Sequence, residues 1–131
     1  MLETIDHGPV RELRLARPPA NALNVPLLNA LNEALEQACE EADAVIVSGA
    51  PGMFSAGLDV PELLKLDRPA FTSMWSRFID VHRTIAMMPI PTVFALTGHA
   101  PAGAILLAIF GDYRIMPEGP FKTGLNEIRI G

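Results

Sequence analysis

Hydrophobic and polar positions change their period several times along the chain, and each change marks an element. "VRELRLA", Val10 to Ala16, alternates apolar and polar residues, which predicts a short strand with Leu13 and Leu15 on one face. The prolines and asparagines of "RPPANALN" predict a loop. Asn24 can accept from the free N–H groups of a first turn and Pro26 has a φ suited to one, so a helix is predicted to start there. Leu28, Leu31, Leu35 and Ala38 then recur at helical spacing, with Glu33, Glu36, Glu40 and Glu41 largely off that stripe. "AVIVS", Ala44 to Ser48, is a continuous apolar run, the pattern of a strand buried on both faces.

"GAPGMFSAG" reads as a loop of small residues, and "LDVPELLKL" opens a short helix. Pro69 opens a longer helix, on which Phe71, Trp75, Phe78, His82 and Ile85 are expected to form the buried side. "PIP" breaks the chain, and "TVFAL", Thr92 to Leu96, predicts another buried strand. "TGHAPAG" is a second small-residue loop, leading into an apolar helix from Ala104 to Ile109; "YRIM" is a third short strand, and "FKT" resumes extended chain after the "PEGP" turn. Strand, small-residue loop and helix start thus occur twice, over residues 44–62 and 92–109. That order predicts an α/β fold with parallel strands and right-handed crossovers. Ligands of such sheets bind beyond the carboxyl ends of the strands, where both loops fall.

At 131 residues the chain is one domain or a piece of one, and its 50% of apolar residues can supply a core. A net charge of −5 argues against nucleic acid or an acidic membrane surface as a partner. Cys39 is the sole cysteine, so a disulfide framework and a thiolate metal site are excluded and a reducing compartment fits. No apolar run reaches the roughly 20 residues of a membrane helix, and "MLETIDHGPV" lacks the pattern of a signal peptide. The expectation is a soluble, cytoplasmic protein that needs no metal and no membrane.

The two small-residue loops admit two readings. Gly57 and Gly103 could simply permit tight turns. Alternatively, two helix starts that converge could aim two backbone N–H groups at one oxygen, forming an oxyanion hole. The phosphate-binding signatures G-x-x-x-x-G-K-[ST] and G-x-G-x-x-G are absent. Asp59 is expected to cap a helix or fix the loop, His82 to sit in the core, and Met74 and Trp75 to be core as well, with their helix able to flank an acyl tunnel. Asp112 is expected to be structural, and His7 and His99 have no acidic partner at metal spacing. Glu127, between "GLN" and "IRIG", is by itself a weak signal.

"PPANALN", "PGMFSAGLD" and "TGHAPAGAILLAIFGDYRIM" resemble the enoyl-CoA hydratase/isomerase (crotonase) superfamily over essentially the whole chain. "FSAGLDV", "PAG", "DYRI" and "GLNE" look more narrowly like the mitochondrial-type Δ3,Δ2-enoyl-CoA isomerases (dodecenoyl-CoA isomerases). The resemblance implies a crotonase-like ββα spiral core, of which residues 1–131 would be the N-terminal portion with the C-terminal half absent. It further implies an oxyanion hole from the N–H groups of Leu58 and Gly103, and a CoA-lining segment from Ala56 through Gly57, Leu58 and Asp59 to Val60. Leu106 stands where family hydratases carry a glutamate. Glu127, preceded by Asn126, stands where the family's second carboxylate lies.

Adding water favours two acid–base groups, whereas moving a double bond from C3–C4 to C2–C3 needs one carboxylate to take a proton from C2 and return one to C4. The resemblance therefore implies an intramolecular C=C isomerase of fatty acid β-oxidation, with a coenzyme A thioester as substrate and no cofactor. It implies a homo-oligomer, trimeric or hexameric. Two alternatives stay open: a hydratase or other crotonase reaction, and a non-catalytic acyl-CoA-binding remnant. "PAGA" departs from the triple glycine common at this loop, leaving Ala102 and Ala104 beside Gly103.

Overall fold

Residues 1–125 are described by the computed structural model. Strands β1 (Leu2–His7), β2 (Val10–Leu15), β3 (Ala44–Ser48), β5 (Thr92–Ala95) and β7 (Tyr113–Ile115) form a five-stranded sheet in the order β1-β2-β3-β5-β7. All neighbours are parallel except the β1–β2 hairpin. Alternation in β2 works as expected: Leu13 and Leu15 are fully buried on one side of the sheet. Arg11 shares that side, and its guanidinium reaches the sheet margin to pair with Asp6 at 2.8 Å and Glu41 at 2.7 Å. Strand β1 carries no apolar alternation; its ladder with β2, Leu2 opposite Leu15 through His7 opposite Val10, makes it a strand. In β3, Val45 and Val47 are buried while Ala44 and Ile46 are half-buried. The expected two-sided burial therefore holds for one face.

Helix α1 (Val25–Glu41) starts where expected, with the Asn24 side chain accepting from Leu27 N–H at 3.1 Å. It buries Leu27, Leu28, Leu31, Leu35 and Ala38. Helix α3 (Arg68–Ala86) is capped by Asp67, which accepts from Ala70 N–H at 2.9 Å. Its buried side is Met74, Phe78, Val81, His82 and Ile85. Phe71 and Trp75, expected on that side, are 44% and 45% exposed and stack flat on each other. Spacings of three and four fit two adjacent stripes of a helix, and packing against α1 selects the one through Met74. Among the described residues no helix is long and apolar enough to cross a membrane.

A second, three-stranded parallel sheet is built from very short pieces: β4 (Gly52–Met53), β6 (Gly98–Pro101) and β8 (Thr123–Gly124). "TGHAPAG" was expected as loop throughout, yet Gly98–Pro101 is a strand. Its small residues show no period-2 signal, and backbone bonds alone define it: Phe54 N–H to His99 O at 3.0 Å and Ala100 N–H to Lys122 O at 2.9 Å. Through this sheet the 50–58 and 97–103 segments, which follow β3 and β5, are fastened side by side. Helices α2 (Val60–Leu63) and α4 (Gly103–Ile109) leave from them.

Candidate active site

The segment from Ser55 to Asp59 lies on the 17–24 loop as on a template. Leu23 forms an isolated parallel bridge with Leu58. Its N–H donates to Gly57 O at 2.8 Å, and its carbonyl accepts from Asp59 N–H at 2.9 Å. In a parallel bridge the residue so clasped keeps its own N–H on the opposite side, so the Leu58 N–H faces away from Leu23. The preceding turn is equally fixed. Gly57 N–H donates to Ser55 Oγ at 3.1 Å, and Ser55 Oγ donates to Asn21 O at 2.7 Å. Asn21 Nδ2 donates to Phe54 O at 3.0 Å, and Ser55 and Asn21 are both buried. Gly57 itself holds φ +87°, a backbone setting that excludes most side chains.

Gly103 begins α4 directly opposite. Ala102 before it adopts φ 50° and ψ −124°, and its carbonyl accepts from Leu106 N–H at 3.2 Å. Among the described residues, neither Leu58 N–H nor Gly103 N–H has a hydrogen-bond partner. A methyl placed on Gly103 would stand 3.3 Å from Leu58 N, and one placed on Gly57 would stand 3.2 Å from Gly103 N. A Cβ lies about 2.5 Å from its own nitrogen, so the Leu58 and Gly103 nitrogens are within about 6 Å of each other. An oxygen accepting two N–H bonds of about 2.9 Å needs donors no farther apart than about 6 Å. The pair meets that condition. Helices α2 and α4 have four and seven residues, so little macrodipole backs these donors and the N–H groups themselves are the resource.

Phe78 links this pair to an apolar cleft. Its Cζ lies 3.4 Å from the methyl position on Gly103, and it helps line a cavity of about 410 Å³ with Trp75, Ile79, His82, Leu106 and Phe110. Leu106 is half-buried, one turn after Gly103. His82 is buried as expected; its Nδ1 carries the proton that it donates to the Phe78 carbonyl, and its ring meets Phe78 and Phe110 edge-on. Burial pushes its pKa below the usual histidine value, with the Phe78 carbonyl opposing that shift. Trp75, expected in the core, instead forms an exposed wall of the cleft.

The remaining candidates separate clearly. Asp59 caps α2, its Oδ1 accepting from Glu62 N–H at 3.1 Å, while Oδ2 pairs with Arg17 at 2.8 Å. Its carboxylate is thus engaged within the protein. Ala56 and Val60 are exposed on either side of buried Gly57. His99 Nδ1 accepts from Lys122 N–H at 2.9 Å, His7 pairs with Glu12 at 2.9 Å, and Asp112 accepts from Thr92 N–H at 2.8 Å. Among the described residues no group of three or more His, Cys, Asp or Glu is placed to hold a metal ion. Asn126 and Glu127 lie outside the described residues. Sequence reasoning missed Arg17, Asn21 and Ser55. Their long-range partners, Glu62, Phe54 and Asn21 respectively, lie 33 to 45 residues distant in the chain, and no local pattern marks those contacts.

Comparison with known proteins adds the following. The profile of the enoyl-CoA hydratase/isomerase family matches residues 6–131. The mitochondrial enoyl-CoA delta isomerase 1 of Mus musculus is 30% identical over 135 residues, covering 100% of this chain and 47% of the relative. A probable enoyl-CoA hydratase of Mycobacterium avium is 37% identical over 122 residues, covering 91% and 47%. The crystal structure of human mitochondrial delta3-delta2-enoyl-CoA isomerase superimposes with a TM-score of 0.93 at 30% identity, over 99% of this chain and 53% of that one. The chain spans about half the length of the curated relatives it matches.

Proposed function

The chain belongs to the enoyl-CoA hydratase/isomerase family, and from that membership we propose that it binds an enoyl-CoA thioester and shifts its double bond from C3–C4 to C2–C3. The observation that carries this reading is the pair of N–H groups at Leu58 and Gly103, without a partner among the described residues, beside an apolar cleft lined by Leu106. The thioester carbonyl oxygen accepts from both N–H groups, with the CoA chain leaving along Ala56 to Val60 and the acyl chain running past Phe78 and Leu106. Glu127 takes the proton from C2; the electrons move onto the carbonyl oxygen as a dienolate, which the two donors stabilise. The same carboxyl returns a proton to C4, and Asn126 orients it. Loss of one such donor typically costs about 2.7–4 kcal/mol of barrier.

The hydratase relative keeps a second reading alive, and the side chain at position 106 bears on it. Leu106 can neither orient nor deprotonate water, and among the described residues its cleft has no carboxylate in its lining. The test is to offer the purified protein 3-enoyl-CoA and 2-enoyl-CoA separately. Conjugated 2-enoyl-CoA from the first and no 3-hydroxyacyl-CoA from the second is the expected result. Hydration at a rate comparable to isomerisation would establish the alternative, and binding without turnover of either would reduce the chain to an acyl-CoA-binding protein. Glu127→Gln should lower isomerisation by at least about a hundredfold, the lower end for acid–base groups, with binding kept.

A further inference from the structure

We propose that Arg17 is a positioning residue for the Leu58 N–H; this rests on the reading of Leu58 and Gly103 as the thioester carbonyl site. Arg17 spans the Leu23–Leu58 bridge from its edge. Its Nη1 donates to Ala22 O at 3.0 Å, one residue before Leu23. Its Nη2 meets Asp59 Oδ2 at 2.8 Å, one residue after Leu58, and Glu62 Oε1 at 2.8 Å on α2. Asn24 Nδ2 adds a bond of 3.1 Å to Glu62 Oε2. The guanidinium therefore ties together the two strands of backbone whose bridge decides where the Leu58 N–H points. Arg17 and Asp59 side chains are 22% and 13% exposed, so water competes little for that pair, while Glu62 is 46% exposed and its contact is the more solvated one.

The cluster also has an electrostatic task. Asp59 and Glu62 are two carboxylates within four residues of a donor that, on the proposed chemistry, meets a developing oxyanion. Without the Arg17 charge they would face that oxyanion uncompensated. A lysine could not replace the fork, because one ammonium cannot reach three acceptors on two segments in a fixed plane. The effect falls on the transition state more than on the bound ground state, since the carbonyl of the substrate is neutral until the proton leaves C2.

The experiment compares Arg17→Met, Arg17→Lys and Glu62→Gln with Arg11→Met. Arg11 holds a similar two-carboxylate cluster at the far sheet margin, away from the candidate site. The readouts are kcat and KM for 3-enoyl-CoA, and the C=O stretching band of bound 2-enoyl-CoA, with melting temperature measured for each variant. Misplacement of a reacting group by about an ångström can cost of order a hundredfold, so Arg17→Met should lower kcat at least tenfold with KM changed less than threefold. Its thioester band should move back toward the free-ligand frequency. Arg17→Lys and Glu62→Gln should fall between, which keeps the idea testable should Arg17→Met fold poorly. Arg11→Met should leave the band and kcat unchanged even where its melting temperature falls equally. A wild-type band in Arg17→Met, or an equal kcat loss in a stability-matched Arg11→Met, overturns the positioning role alone. An unshifted band in the wild-type protein instead refutes the carbonyl site, and the Arg17 role with it.

Discussion

Replacing Ala102 by glycine should make the protein more stable, against the usual direction of such a change. Ala102 sits at φ 50° and ψ −124°, where the Cβ crowds the flanking carbonyl and which glycine adopts freely. Non-glycine residues held in such regions cost about 1–3 kcal/mol each. Against the relief stand about 0.4–1 kcal/mol of extra unfolded-state freedom and a few tenths of a kcal/mol for a half-buried methyl, on a scale of about 0.8 kcal/mol per buried CH₂. Glycine is also the better residue at a helix N-cap, the place Ala102 holds for α4. The balance is a gain of about 1 kcal/mol. Urea unfolding would register it as a midpoint higher by about 0.5 M at unchanged slope, and a thermal melt as about 3–5 °C. An Ala102→Gly protein that unfolds at lower urea with the same slope would refute the strain argument. The surrounding contacts would then be stabilising that backbone rather than enduring it.

Gly57→Ala should cost about 2–4 kcal/mol, from left-handed strain at φ +87° and a methyl 3.1 Å from Pro101 O. Gly52→Ala, at φ +82° with nothing within 4 Å, should cost the strain alone, and equal losses in urea unfolding would dismiss the contact term. Leu106→Glu should begin to confer hydration of 2-enoyl-CoA; a product assay that finds none while isomerisation persists would detach position 106 from the reacting carbons. His82 has a folded pKa below that of the unfolded chain, so its contribution is complete above about pH 6.5 and is lost as pH falls from there through the folded value. The melting temperature should therefore decline as pH falls below about 6.5, and His82→Leu should flatten that decline. An unchanged slope would place the dependence elsewhere, the paired carboxylates Asp6, Glu12 and Glu41 acting only at lower pH.

Elements built on side-chain period were legible in the sequence. Asn24 announced α1 because a cap is a local device, and "AVIVS" announced β3 because a central strand needs apolar side chains. The stripe of α3 was legible only to within one position, since Phe71 and Trp75 satisfy the same spacing as Met74 and Val81. Strands β4 and β6 were not legible, because two to four residues are held by ladder bonds that leave no side-chain pattern, and of β8 only Thr123 fell in the extended stretch read from "FKT". Within the candidate site, Leu58, Gly103 and Leu106 came from the resemblance, while nothing local connects Arg17 to Asp59 across 42 residues. Glu127 lies outside the described residues, so its part rests on the resemblance alone.

The clasp of Leu23 on the Gly57–Leu58 peptide has a consequence for how this protein can change. Both proposed carbonyl donors are main-chain groups, so no single side-chain replacement deletes either of them, and Leu58→Ala would leave its N–H where it is. Proline is the exception, since it alone removes the hydrogen. The Leu23 N–H, which donates to the carbonyl end of the same peptide, also draws charge off the amide and strengthens its donor end. An amide-to-ester exchange at Leu23 would thus weaken the donor from behind, without altering any atom that faces the ligand. On the proposed chemistry, reaction type can then drift through residues such as Leu106 while the grip on a thioester is inherited unchanged, because that grip would be stored in chain path and the chemistry in side chains.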